Sequence, residues 1–128
     1  MSAPETPTPV GIVLFAHGSR DALWCAPIEA VAAHMRQLEP SARVRCAYLE
    51  HTAPDLPAAV QALLDEGART VTVWPMFLGA GRHAREDLPR LVHELRQRHP
   101  GIAIALQPPI AEHPAVLDAL AHTALSPT

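Results

Sequence analysis

Val10-Gly11-Ile12-Val13-Leu14-Phe15-Ala16 is a run of seven residues with no polar interruption. A strand with one wet face alternates apolar and polar side chains. A continuous run needs cover on both faces, and that cover is what a parallel sheet between helices provides. The run ends at His17-Gly18-Ser19-Arg20, which reads as the loop leaving the strand.

The rest of the chain repeats this alternation. From Pro27 to Leu38 the apolar residues Ile28, Val31, Ala32, Met35 and Leu38 share one helical stripe, which Pro40 stops. Val44–Leu49 is the second strand, ending at Glu50-His51. Asp55 caps a helix carrying Leu56, Val60, Leu63 and Leu64, with Gly67 as its stop. Thr70–Phe77 is the third strand. A third helix runs through Leu88, Leu91, Val92 and Leu95, with Pro89 expected in its first turn and His83 at or just before its N-terminus. Ile102–Leu106 is the fourth strand, and Pro114–Leu125 the last helix. Residues 1–9, with Pro4, Pro7 and Pro9, read as a disordered lead-in.

Four strand–helix alternations predict βαβ units, hence a four-stranded parallel sheet with helices on both faces. Ligands of such sheets bind beyond the carboxyl ends of the strands. His17, Glu50, His83 and His113 each follow one strand, so the fold gathers at one edge residues that the sequence scatters.

Composition narrows the function classes. A chain of 128 residues is one domain by length, and at 48% hydrophobic and 18% charged it is globular. The formal net charge of −3 argues against nucleic acid as the main partner. No apolar run approaches the ~18 residues of a membrane span, and the N-terminus lacks a signal-peptide pattern, so a cytoplasmic protein is expected. Cys25 and Cys46 form neither a disulfide framework nor a CxxC site and read as small buried thiols. Eight histidines are the compositional excess, and they invite metal or proton-transfer chemistry.

His17, between a strand and a glycine, projects from the sheet edge. For His83, Gly79 and Gly81 let the backbone bend and approach a ligand closely. A helix N-terminus also disfavours imidazolium, leaving a nitrogen suited to a metal or a proton. Either Glu50 or His51 can face the site. Arg20, Arg82 and Arg85 flank the two histidines and suit an anionic, carboxylate-bearing ligand. Glu86 and Asp87 read as first-turn partners of the helix dipole. His34, His93, His99 and His122 read as surface residues, and Trp24, Trp74 and Tyr48 as core.

These residues resemble a family, the class II chelatases of modified tetrapyrrole synthesis, and in particular the short CbiX-type sirohydrochlorin chelatases. The resemblance rests on Leu14-Phe15-Ala16-His17-Gly18-Ser19-Arg20, on Ala47-Tyr48-Leu49-Glu50 with Pro54, on Pro75 through Pro89, and on Pro108-Pro109-Ile110 with His113-Pro114. It implies a flavodoxin-like three-layer sandwich, half of a two-lobed chelatase fold, with residues 10–126 as a single chelatase domain that pairs as a homodimer.

The implied activity is insertion of Co²⁺ or Fe²⁺ into sirohydrochlorin, toward cobalamin or sirohaem, with the metal as substrate and no prosthetic group. His17 and His83 match the family's paired histidines, and Glu50 an acidic residue near the metal. The arginines, Gly79, Gly81, His113 and an apolar wall of Phe77 and Leu78 would contact the tetrapyrrole. Two rival readings are a non-catalytic metal or tetrapyrrole carrier and a phospho-ligand module. The second lacks a glycine- or serine-rich phosphate loop.

Overall fold

The computed structural model describes residues 10–79 and 81–126, without the side chain of His83; the expected lead-in over residues 1–9 lies outside them. Strands β1 (Val10–Ala16), β2 (Arg43–Tyr48), β3 (Thr70–Pro75) and β4 (Ala103–Leu106) form one parallel sheet in the order β2-β1-β3-β4. Phe15 lies opposite Ala47 on one side and Pro75 on the other. The uninterrupted apolar run is thereby explained. β1 is an inner strand, and Val13, Leu14, Phe15 and Ala16 are all buried.

Helices α1 (Ala26–Leu38), α2 (Leu56–Asp65), α3 (Arg82–Arg98) and α4 (Pro114–Leu125) connect and follow the strands. On one face α1 packs Ala32 against Leu14 and Val44. On the other, Val13, Phe15, Val71 and Val73 meet Leu56, Val60 and Leu63 of α2 and Leu88, Val92 and Leu95 of α3. Each such side chain contributes about 1.5–3 kcal/mol by leaving water, and this larger cluster forms the main core. Asp55 caps α2 as expected, its carboxylate accepting from the Ala58 N–H at 2.9 Å. Gly67 follows the helix at φ +98°, the left-handed stop that glycine permits.

Several expectations are corrected. Pro89 lies inside α3, eighth from its start, because the helix begins at Arg82. Without an N–H, Pro89 cannot bond the Arg85 carbonyl, and the stripe Ala84, Leu88, Val92, Leu95 holds the helix on the sheet despite this. The first turn therefore contains no acid. Glu86 and Asp87 fall in the second turn, where they pair with Arg82 and Arg90 at 3.2 Å each.

β3 ends at Pro75, although Phe77 stays buried beyond it. The α1 stripe is narrower than its spacing implied, since Val31 and Leu38 are exposed. Trp24 was expected in the core and is 73% exposed, because a short 3₁₀ helix, Ala22–Cys25, carries it outward. No residue of α4 is buried, and on the α1 side of the sheet Ala103 and Ala105 of β4 are exposed.

Candidate active site

With this strand order the connection reverses between β1 and β3, so the ligand crevice of such a sheet lies at their carboxyl ends. His17 leaves β1 there, and the end of the strand is held from both sides. The Glu50 N–H donates to the His17 carbonyl at 3.0 Å, and the Met76 N–H to the Phe15 carbonyl at 2.7 Å. The exits of β2 and β3 are thus laced to that of β1.

Gly18 takes φ +85°, and a Cβ placed on it would stand 2.0 Å from the Glu50 carbonyl oxygen. Only glycine fits this turn. Just beyond, the Thr52 hydroxyl accepts from the Ser19 N–H at 3.1 Å and donates to the Ser19 carbonyl at 2.7 Å. Ser19 Oγ accepts from the Asp21 N–H, and Asp21 Oδ1 from the Leu23 N–H, both at 3.0 Å. This chain of bonds fixes the loop from His17 to Cys25.

The His17 imidazole stacks on Phe77, with ring centroids 4.4 Å apart and planes 29° apart. Phe77 is itself 6% exposed and meets Phe15 edge-on at 6.3 Å. The residue expected only as an apolar wall is also the surface on which the histidine rests. His17, Trp24, Ile28, Tyr48, Met76 and Phe77 surround a slot of about 280 Å³. Leu78, its expected companion, is 81% exposed.

His83 is the second residue of α3, the helix that follows β3, so its backbone sits at the helix N-terminus as expected; its side chain lies outside the described residues. Gly81 caps α3 at φ −66°, and a Cβ on either Gly79 or Gly81 would meet nothing within 4 Å among the described residues. Packing among the described residues does not require these two glycines, and the space beside them is open.

Glu50 is exposed and stands 3.7 Å from His51, which adopts φ +65°. Arg20 has no carboxylate partner among the described residues, Arg82 pairs with Glu86, and Arg85 lines a larger cavity of about 430 Å³ with Pro89, Gln107 and Glu112. His113 lies apart from the His17 slot. Its Nδ1 caps α4 by accepting from the Ala115 N–H at 3.2 Å, and its ring meets Trp74 at 6.2 Å. Among the described residues no three His, Cys, Asp or Glu side chains gather as a ready metal set.

Tyr48, which lines the slot, and Cys46, which lines a separate cavity together with Tyr48, are both shifted by burial. Burial, with Cys46 nearby, pushes the Tyr48 phenol well above its usual range, and its hydroxyl has no hydrogen-bond partner among the described residues. Burial likewise raises the Cys46 thiol. Both cysteines are free.

The CbiX family model matches residues 11–125 of this chain. The chain is 29% identical over 108 residues to a chloroplastic sirohydrochlorin ferrochelatase of Arabidopsis thaliana, covering 84% of this chain and 48% of that one. It is 30% identical over 88 residues to a sirohydrochlorin cobaltochelatase of Methanocaldococcus jannaschii, covering 69% and 62%. It therefore spans less than two thirds of these relatives' length. Among solved structures, a CbiX protein of Marinobacter aquaeolei aligns with TM-score 0.77 and 36% identity over 91% of this chain and 95% of that one. The sirohydrochlorin chelatase SirB of Bacillus subtilis, in complex with cobalt, aligns with TM-score 0.70 and 26% identity over 89% and 49%.

Proposed function

The chain belongs to the CbiX family, and from that premise we propose that it is a chelatase inserting Co²⁺ or Fe²⁺ into sirohydrochlorin. The observation that carries this reading is His17, fixed at the β1–β3 crevice on the face of Phe77 and opening into an apolar slot. The relatives named as cobaltochelatase and ferrochelatase support the reaction class and both metals.

Insertion exchanges two pyrrole N–H protons for one divalent ion, releasing two protons. A neutral imidazole offers one lone pair, which takes a proton or a metal but never both at once. Two histidines, His17 at the exit of β1 and His83 in the first turn of α3, can therefore divide the work or alternate in it. Glu50, on the β2 exit, would supply a hard oxygen ligand to a metal in transit. The metal is substrate, and the reaction calls for no prosthetic group.

Arg20, Arg82 and Arg85 are exposed around the crevice and suit the carboxylates at the macrocycle's rim. Phe77 and Leu78 offer apolar surface, and the space beside Gly79 and Gly81, open among the described residues, would let a flat ligand approach the backbone. His113, in its separate slot, would meet a peripheral group of the macrocycle.

We read the working unit as a homodimer in the cytoplasm. Leu117, Leu120 and Leu125 of α4 are exposed, as is the β4 edge on the α1 side, and a second copy would cover such surfaces. No helix among the described residues is long and apolar enough to cross a membrane. Sedimentation as a single species near 13.8 kDa at micromolar concentration would contradict the dimer.

The rival reading is a carrier that binds metal or tetrapyrrole without turnover. Mixing protein, sirohydrochlorin and Co²⁺ or Fe²⁺ and following the absorbance against the uncatalysed rate separates the two. The chelatase accelerates the change, whereas the carrier leaves the rate as it was.

A further inference from the structure

Trp24 is a large apolar side chain held open to water by a rigid loop. The 3₁₀ helix that carries it is capped by Asp21, and the preceding turn is tied to Thr52 through both backbone groups of Ser19. Cys25, the next residue, is buried and anchors the far end. A tryptophan on a floppy segment could fold back onto the core; this one is fixed outward with 73% of its surface exposed. It also stands at a particular place, since Trp24 and His17 line the same slot, with Phe77 as the surface beneath the histidine. At about 280 Å³ that slot is at the small end for ligand pockets and takes in only part of a four-ring macrocycle. The remainder of such a ligand must overhang the mouth, where Trp24 is the aromatic surface available.

Resting on the chelatase reading, we infer that Trp24 is a substrate-positioning residue, on whose indole the face of the tetrapyrrole stacks while its metal-accepting centre lies toward His17. The exposed apolar surface then has an occupant, and the macrocycle is held on two sides, by the slot and by the indole. Because Trp24 grips the ring system and not the ion, its removal weakens tetrapyrrole binding and leaves metal use and the proton-transfer step intact.

The test compares wild type, Trp24→Ala and Trp24→Phe in steady-state insertion assays, varying sirohydrochlorin and Co²⁺ separately, with far-UV circular dichroism as a check on folding. Loss of one aromatic stacking face predicts a KM for sirohydrochlorin about tenfold higher in Trp24→Ala, with the KM for Co²⁺ and kcat within about twofold. Trp24→Phe keeps most of the affinity. An active Trp24→Ala enzyme with unchanged KM overturns the inference and leaves the chelatase reading standing. So does a Trp24→Ala variant that shifts from dimer to monomer in sedimentation, which would make Trp24 an interface residue. If the wild type binds metal-free sirohydrochlorin without turnover, the chelatase reading fails, and the same tenfold weakening is then expected in the dissociation constant. A wild type that binds no sirohydrochlorin overturns both.

Discussion

The imidazole of His17 lies on the phenyl ring of Phe77, 4.4 Å between centroids, and Phe77 in turn meets Phe15 edge-on. A histidine at a strand end would otherwise sample several rotamers. Here Phe77, two residues past β3, restricts the residue following β1, across the reversal of strand order at which such sheets bind their ligands.

Phe77 should therefore act on the reaction through His17. Phe77→Leu keeps most of the buried volume and should cost under about 1.5 kcal/mol of stability. With the ring lost, His17 is less well oriented, and kcat should fall about tenfold. Thermal melts beside steady-state kinetics measure both; an unchanged kcat would show that the stacking does not position the imidazole.

Two glycines of the site should respond oppositely to alanine. Gly18→Ala forces a side chain into φ +85° and into the Glu50 carbonyl, and should cost more than about 2 kcal/mol. Gly79→Ala meets open space and should stay within about 0.5 kcal/mol of wild type in urea unfolding. If Gly79 leaves room for the macrocycle, its alanine variant should still show a raised KM for sirohydrochlorin. An unchanged KM would assign the open space no role.

Tyr48 is the only tyrosine in the chain, so phenolate absorbance reports on it alone. Burial raises its folded pKa, while the unfolded phenol ionises near about 10. Above that pH the unfolded state releases a proton that the folded state retains, so stability should fall as pH rises past about 10. Phenolate should form only as the protein unfolds. Tyr48→Phe should remove the phenol's share of this alkaline loss, leaving the smaller share of the raised Cys46 thiol, and, by removing a buried hydroxyl with no partner among the described residues, leave neutral-pH stability within about 1 kcal/mol of wild type or above it. Phenolate appearing near pH 10 in the folded protein would contradict the burial argument.

Much of the fold was legible in the chain. The apolar run of β1 marked an inner strand of a parallel sheet, Asp55 and Gly67 bracketed α2, and alternation gave the layers. What misled was local chemistry overridden by packing. Pro89 reads as a helix start, yet the stripe from Ala84 to Leu95 buries enough surface to carry the helix through it. Trp24 reads as core by residue type, while the Asp21 cap turns it outward.

The position of His17 at a strand exit was legible too; its stacking on Phe77 was not, because 60 residues separate a contact that only sheet order creates. Gly18 carried the missed signal: a glycine directly after a strand-end histidine marks a positive-φ turn, and the turn is what sets the β1 exit against Glu50.

The most direct test of the account is the initial rate of metal insertion into sirohydrochlorin, measured side by side for wild type, His17→Ala and His83→Ala, each verified as folded. The account predicts wild-type acceleration over the uncatalysed reaction and a loss of at least about a hundredfold in each variant, the scale of a positioned acid–base group. Folded variants that insert metal at near-wild-type rates would contradict it.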